Sequence, residues 1–513
     1  MTELQRALLP ALLPVLPRAR IAARYQAATD SEAAGGGWFD AIPLSDGTVA
    51  LAAGEVAGCG VSAVAAMGRL RTVLGDQLAV RPVLAAALER ADAYAERTPE
   101  LLAATLVLAQ LNPADGSLRY ATCGSPPPLT IGATGGARFL EATGAGPLGT
   151  GSDLAVGAAE LRPGDFLLLC TDGLIQRPGS TVADGMAELV VAADAAVRSR
   201  PAPSGRDDHG APGPGPDHVC RRAVELMRTD GFAGDVSVLV VQLAAAPVAA
   251  LSLSLPSEED SVLRVRRAFS RWLTGIDAAL QDRDDLMLAV VETVTNAVEH
   301  AYPADRSGTV DFHAALRQDG TLECRVTDHG RWREPDPAAA YRGHGLMVAG
   351  QVVDQLLVRT QGRDDGWPDG GRGTVVTLRH RLGRPPLIST DATQGRARSS
   401  GVSFGVGVDS QGGVPRASVS GPVDGGSAER LAQRMLAACR GGVLPLVVDL
   451  GGVTYLASSA VQAIYQVRAL LSAHKQRLTI VAPAGSAAAG MLGLVRLPYV
   501  SGGQGHSRTG GLR

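Results

Sequence analysis

The stretch DDLMLAVVETVTNAVEHAYP, residues 284–303, decides the reading of the chain. Its apolar residues recur at helical spacing, and Glu292, Asn296 and His300 fall four apart on one stripe. A polar stripe on an apolar helix faces something wet, either bulk solvent or a ligand. Downstream, VTDHG sets Asp328 and Gly330 just past a strand signal. GHGLMVAG sets Gly343 and Gly345 before a helical run, and GRGT ends at Thr374, leading into the apolar VVTL. Four such pieces in this order favour the ligand.

The rest of the chain bounds what surrounds this segment. Its 513 residues correspond to about three folded units. With 45% apolar and 19% charged residues, each unit has the means to bury a core. The net charge of −3 provides no global basic field for nucleic acid or an anionic membrane. Lys475 is the single lysine among 48 basic residues, which excludes a Walker-type phosphate lysine anywhere before it. The six cysteines are scattered without a C-x-x-C pair, against a zinc site or a disulfide framework. No apolar run approaches the ~18 residues of a membrane span, so a cytoplasmic protein is expected.

Hydrophobic patterning lapses in two places. SRPAPSGRDDHGAPGPGPDHV (199–219) is followed by the strand signal VSVLVVQL (236–243) and reads as a surface insertion within a first domain, 1–245. GRPPLISTDATQGRARSSG reads as a linker over 383–402. Alternating β-type runs and alanine-rich helices predict a layered α/β sandwich for the first domain. A middle domain, 250–382, and a third, 403–500, also mix strands and helices, and a disordered tail is expected over 501–513.

The middle segment resembles the Bergerat (GHKL) ATP-binding fold, and specifically the bacterial anti-sigma serine kinases of the RsbW/SpoIIAB type. The resemblance implies that Glu292 is the base deprotonating a serine hydroxyl and that Asn296 holds the Mg²⁺ of ATP. It implies that Asp328 accepts the adenine amino group and that Gly330 lets the backbone approach the base. Gly343 and Gly345 then form a phosphate-binding lid, and Thr374 completes the ATP site. A histidine kinase shares this nucleotide fold, but the upstream LSLSLPSEEDSVLRVRRAFSRWL contains no histidine to accept a phosphate.

In the third domain, LPLVVDL leads to Ser458 and Ser459 at the head of a periodic helix. Serine is a favoured N-cap, which alone accounts for one of them there. The arrangement also resembles STAS domains of anti-sigma-factor antagonists, whose Asp-Ser-Ser-Gly pattern becomes Ala457, Ser458, Ser459 and Ala460 here. The resemblance makes Ser459, with Ser458 beside it, the candidate phospho-acceptor, where about −2 of new charge breaks a protein contact.

The first domain, through GGGWFDAIPL, VALAAGEVAGCGVSA, LRPGDFLLLCTDGL and GDVSVLVV, resembles the SpoIIE/RsbU branch of the PPM (type 2C) phosphatases. That family hydrolyses phosphoserine with water bridging two Mn²⁺ or Mg²⁺ ions held by carboxylates. At the four ligand positions this chain has Gly37, Glu55, Asp172 and Gly234, with Asp40 and Asp235 as nearby stand-ins and Cys59 where the family has histidine. Two lost carboxylates point to a degenerate phosphatase, because glycine has no side-chain donor.

The fold expected is therefore multidomain α/β: a PPM-type α-β-β-α sandwich, a GHKL (Bergerat) α/β sandwich and a STAS α/β domain. The expected function is partner switching that controls a sigma factor, through ATP-dependent phosphorylation of a STAS serine in trans or in cis. Expected partners are STAS antagonists, anti-sigma kinases and a sigma factor, and a homodimer is compatible. Two alternatives stand beside this: an active Mn²⁺- or Mg²⁺-dependent phosphoserine phosphatase, and a non-catalytic scaffold that sequesters partners.

Overall fold

The computed structural model describes residues 3–28, 35–177, 179–199, 214–228, 232, 234–302, 308–330, 345–360, 373–389, 403–410 and 413–501. The first domain stacks two sheets between two helical layers. One sheet runs Gly35–Pro43, Val49–Cys59, Thr105–Leu111, Ser117–Cys123 and Gly157–Glu160, all antiparallel. The other has Ala19–Gln26, Val236–Leu243, Phe166–Cys170, Leu129–Ile131 and Arg138–Phe139 in that order. Val236–Leu243 lies inside this sheet and is covered on both faces, so its sequence is an unbroken apolar run rather than an alternation.

Helices Val61–Val80 and Leu84–Glu96 accompany the first sheet, and Val182–Arg198 and Pro216–Met227 accompany the second. Trp38, Phe39, Tyr25 and Leu51 are fully buried in the core between these layers. Pro216–Met227 begins inside the segment read as an insertion; a proline at the first helical position is compatible with the unpaired amides there. Residues 200–213 of that segment lie outside the described residues.

The middle domain is one antiparallel sheet, ordered Leu251–Pro256, Thr309–Leu316, Thr321–Asp328, Thr374–Arg381 and Gln355–Thr360. Helices Glu259–Gly275, Leu280–His300 and Gly345–Val352 complete it. Leu286, Ala289, Val290, Val294 and Ala297 put one face of Leu280–His300 into the core, where Phe269 and Phe312 meet edge to face.

The third domain has strand order Gly405–Asp409, Arg416–Val423, Leu446–Leu456 and Leu478–Val481, parallel except for the first pair. Helices Gly425–Ala438, Ser458–Ala473 and Ala487–Leu494 pack on it.

The stretch read as a linker differs from that reading at its start. Gly383–Arg384 pairs with Leu13–Pro14, and Leu387–Ser389 adds a parallel edge strand beside Ala19–Gln26. Ile388 packs against the first domain's core, which gives these residues a reason to leave solution. Residues 390–402 and 502–513, and so nearly all of the expected tail, fall outside the described residues. Among the described residues, no helix is long and apolar enough to cross a membrane.

Candidate functional site

Two sites emerge from the residues singled out in the sequence. In the middle domain, Glu292 and Asn296 are half-buried on the solvent side of Leu280–His300, one turn apart. His300 is exposed at the helix end, 3.9 Å from Glu299, and caps nothing. The helix Gly345–Val352, which Gly345 opens, packs against the same helix. Gly343 lies outside the described residues.

Asp328 closes the strand Thr321–Asp328 and is 7% exposed. Its Oδ1 accepts from the amides of Gly330 (3.0 Å) and Thr374 (3.3 Å), which fixes the carboxylate and leaves Oδ2 with capacity for an incoming amine. Burial raises the Asp328 pKa above the ordinary carboxylate value, and the two amides offset part of that rise. The Thr374 hydroxyl, buried beside it, makes no well-formed hydrogen bond. A buried hydroxyl beside a fixed carboxylate offers two polar groups to a heterocycle entering there. Gly330 has a packing role as well, since a Cβ there would stand 1.9 Å from the Ala301 carbonyl oxygen. The chemistry of these residues is compatible with an adenine nucleotide.

The first domain carries the second site. Glu55 lies directly across the sheet from Gly37 and shares a side-chain hydrogen bond with buried Asp172. Burial first, and then the charge of Asp172, hold Glu55 well above the ordinary carboxylate range. Burial raises the Asp172 pKa as well, and the two carboxyls titrate as a coupled pair.

Asp235 is committed elsewhere: the Tyr25 hydroxyl donates to it, and the Ala28 amide donates to Oδ1 at 3.0 Å. Asp40 is held by Arg71, whose Nε and Nη2 both reach Oδ2, at 3.1 and 2.8 Å. As a stand-in ligand it is therefore neutralised by a guanidinium. Among the described residues, no group of three His, Cys, Asp or Glu side chains is arranged to hold a metal ion. The residues present do not fit a two-metal phosphatase centre. Cys59 is exposed beside this region.

The third domain covers this pocket, which no sequence pattern had announced. Ala457, not a serine, is the N-cap of Ser458–Ala473, so the capping role expected of serine is absent. Ser458 instead donates to Glu55 Oε1 at 2.6 Å. The Ser459 hydroxyl is buried without a partner. Tyr455 is buried with its hydroxyl 3.6 Å from where a Cβ on Gly234 would lie. At the rim, the Gly179 amide donates to Thr454 O, and Gln462 Nε2 donates to Leu102 O at 3.1 Å and Glu100 O at 3.3 Å.

Comparison with known proteins assigns each module. Residues 45–244 match the family Stage II sporulation protein E (SpoIIE), 255–379 the histidine kinase-like ATPase domain, and 406–498 the family described as Mlab, STAS domain. Domains of the first two kinds imply use of a divalent metal and of ATP in general.

The crystal structure of the RsbU and RsbW domains of Rv1364c from Mycobacterium tuberculosis is 36% identical. It superposes with a TM-score of 0.62, covering 74% of this chain and 99% of that one. An anti-sigma F factor from Halalkalibacterium halodurans is 31% identical over 149 residues, 27% of this chain and 94% of its own length. Serine-protein kinase RsbW from Bacillus licheniformis is 34% identical over 106 residues, 21% of this chain and 64% of its own length.

Proposed function

Because the chain belongs to the family of bacterial partner-switching regulators that join a SpoIIE/RsbU-like domain to an RsbW-like kinase domain and a STAS domain, we propose that its active chemistry is phosphorylation of a STAS serine by the middle domain. The observation carrying this reading is the fixed, buried Asp328 carboxylate beside the buried Thr374 hydroxyl, with Glu292 and Asn296 on a helix of the same domain.

Asp328 Oδ2 accepts from the exocyclic amine of adenine, and Thr374 supplies a second polar contact at the same edge. Asn296 would hold the Mg²⁺, which would supply charge neutralisation to the transferred phosphoryl group. Glu292 takes the serine proton as the hydroxyl oxygen bonds to the γ-phosphorus; the bond to the β-phosphate oxygen breaks and ADP departs. The acceptor is a serine at a STAS helix N-terminus, Ser459 or Ser458 in this chain or its counterpart in a partner. The dianion it gains changes which partner the STAS domain binds, and thereby the availability of a sigma factor in the cytoplasm.

The lack of side-chain donors at Gly37 and Gly234, and the Arg71 ion pair on Asp40, support a first domain that binds rather than hydrolyses. Incubation with ATP and Mg²⁺, followed by phosphosite mapping on this chain and on an added STAS protein, tests the kinase reading. Glu292→Ala is expected to slow transfer by about 10²-fold or more. Transfer at the wild-type rate in that variant removes Glu292 from the base role.

A further inference from the structure

The pocket vacated by phosphatase ligands is rich in acceptors, and what enters it from the third domain is a pair of hydroxyls. Glu55, Asp172 and Asp235 line the first-domain side. Tyr455 stands over them at the end of Leu446–Leu456, and burial and the charges of Asp172, Glu55 and Asp235 together raise the pKa of its hydroxyl. It packs directly against Gly234, where a Cβ would stand 3.6 Å from the Tyr455 oxygen, in ordinary van der Waals contact.

Ser458 opens a 16-residue helix, so the positive end of that helix also faces the acidic pocket while the serine donates to Glu55. Shape and charge therefore match on both sides of the contact. The rim adds backbone pairing between Gly179 and Thr454 and the two bonds from Gln462. Ala103 of the first domain joins the third domain's core, and Leu494 of the third packs on the first.

We infer that the vestigial phosphatase pocket is a binding site for the chain's own unphosphorylated STAS domain, with Tyr455 and Ser458 as the inserted groups. Gly234, which supplies no metal donor, lies against the Tyr455 hydroxyl in this seat. A negative group on Ser458 is incompatible with this seat, because Glu55 lies 2.6 Å from its hydroxyl and Asp172 is hydrogen-bonded to Glu55. In this arrangement both serines are covered. The domain presents them to a kinase only after it has lifted off.

Hydrogen–deuterium exchange on the full-length chain, without nucleotide, tests the inference independently of phosphate transfer. The amide of Gly179, which bonds to Thr454 O, reports the contact directly, together with residues 99–104 and 453–462. Ser458→Glu and Gly234→Leu are each expected to raise exchange at these positions by about tenfold or more. Gln462→Ala, a rim change that leaves both domains intact, is expected to give a smaller increase in the same segments.

Val236–Leu243 and Leu446–Leu450 serve as internal controls and should keep wild-type protection, which separates undocking from unfolding. Wild-type protection of Gly179 in Ser458→Glu and Gly234→Leu with the controls intact would overturn the inference. So would Gly179 exchanging freely in the wild type.

Discussion

The hydroxyl of Ser458 donates a 2.6 Å hydrogen bond to the carboxyl of Glu55, across 403 residues of sequence. Removing the donor with Ser458→Ala leaves Glu55 Oε1 without this partner under the third domain. The expected cost is about 1–2 kcal/mol of interdomain stability, read as a lower first transition in thermal or urea unfolding. An unchanged profile would mean that this bond contributes nothing to the domain contact.

Divalent metal is expected to add no phosphoserine phosphatase activity to the wild-type chain. Gly37 and Gly234 supply no donors, and Asp40 is ion-paired to Arg71. Hydrolysis of a phosphorylated STAS protein, measured across a Mn²⁺ series, checks this. Turnover that disappears in Asp172→Ala would restore the working-phosphatase reading.

For the nucleotide site, Asp328→Asn keeps an oxygen for the Gly330 and Thr374 amides but turns an NH₂ toward the incoming amine. Affinity for ATP should fall by about tenfold or more while the fold persists. Calorimetric titration with ATP reads the change, and equal affinity in the variant would show that Asp328 does not meet the base.

Arg384 makes ion pairs with Asp217 of the first domain and Asp277 of the middle domain. Burial raises the Asp277 pKa, and Arg384 is the chief influence opposing that rise. Arg384→Ala removes this partner from Asp217 and leaves Asp277 with Arg283, 3.7 Å away, and is expected to destabilise the junction by about 1–3 kcal/mol. Arg384→Lys should recover only part, because an ammonium lacks the guanidinium fork. Urea denaturation of the three proteins gives the comparison; equal midpoints would count against the bridge.

His380 provides a pH signature in the middle domain. It lies 3.6 Å from Asp282 and 3.6 Å from Asp354, with Asp285 also near, and its closeness to Asp282 is the main cause of a pKa raised above the ordinary histidine value in the folded state. A raised histidine pKa stabilises fully below the unfolded value, and that contribution is lost as pH rises through the folded pKa. Stability measured from pH 5.5 to 8.5 should therefore decline by about 1 kcal/mol or less on this account, and the decline should shrink in His380→Gln. A slope identical in the two proteins would exclude His380 as its source.

Much of the architecture was legible because periodicity reports on local burial. The 3.6-residue repeat of Leu286, Val290, Thr293 and Ala297 and the apolar run VSVLVVQL each mark an element before any contact is known. The missing donors at Gly37 and Gly234 were equally plain, since a ligand's absence is a property of one residue. What escaped was pairing at long range. Nothing near Ser458 names Glu55, nothing near Tyr455 names Gly234, and Arg384 stands in a proline-flanked stretch that reads as connector. The strand at Leu387–Ser389 was hidden for the same reason: three residues are too few for a period, and their partner strand lies more than 360 positions earlier.

That short edge strand fixes the pivot from which the third domain moves. The chain leaves the middle domain, attaches to the first at Ser389, and has only residues 390–402 before the third domain begins at Ser403. Fully stretched, such a connection reaches at most about 50 Å, so the third domain stays near the pocket it covers even when displaced. A STAS protein arriving from solution thus competes with an intramolecular rival whose local concentration is on the order of millimolar. Partner choice in this chain is weighted by attachment as well as by affinity.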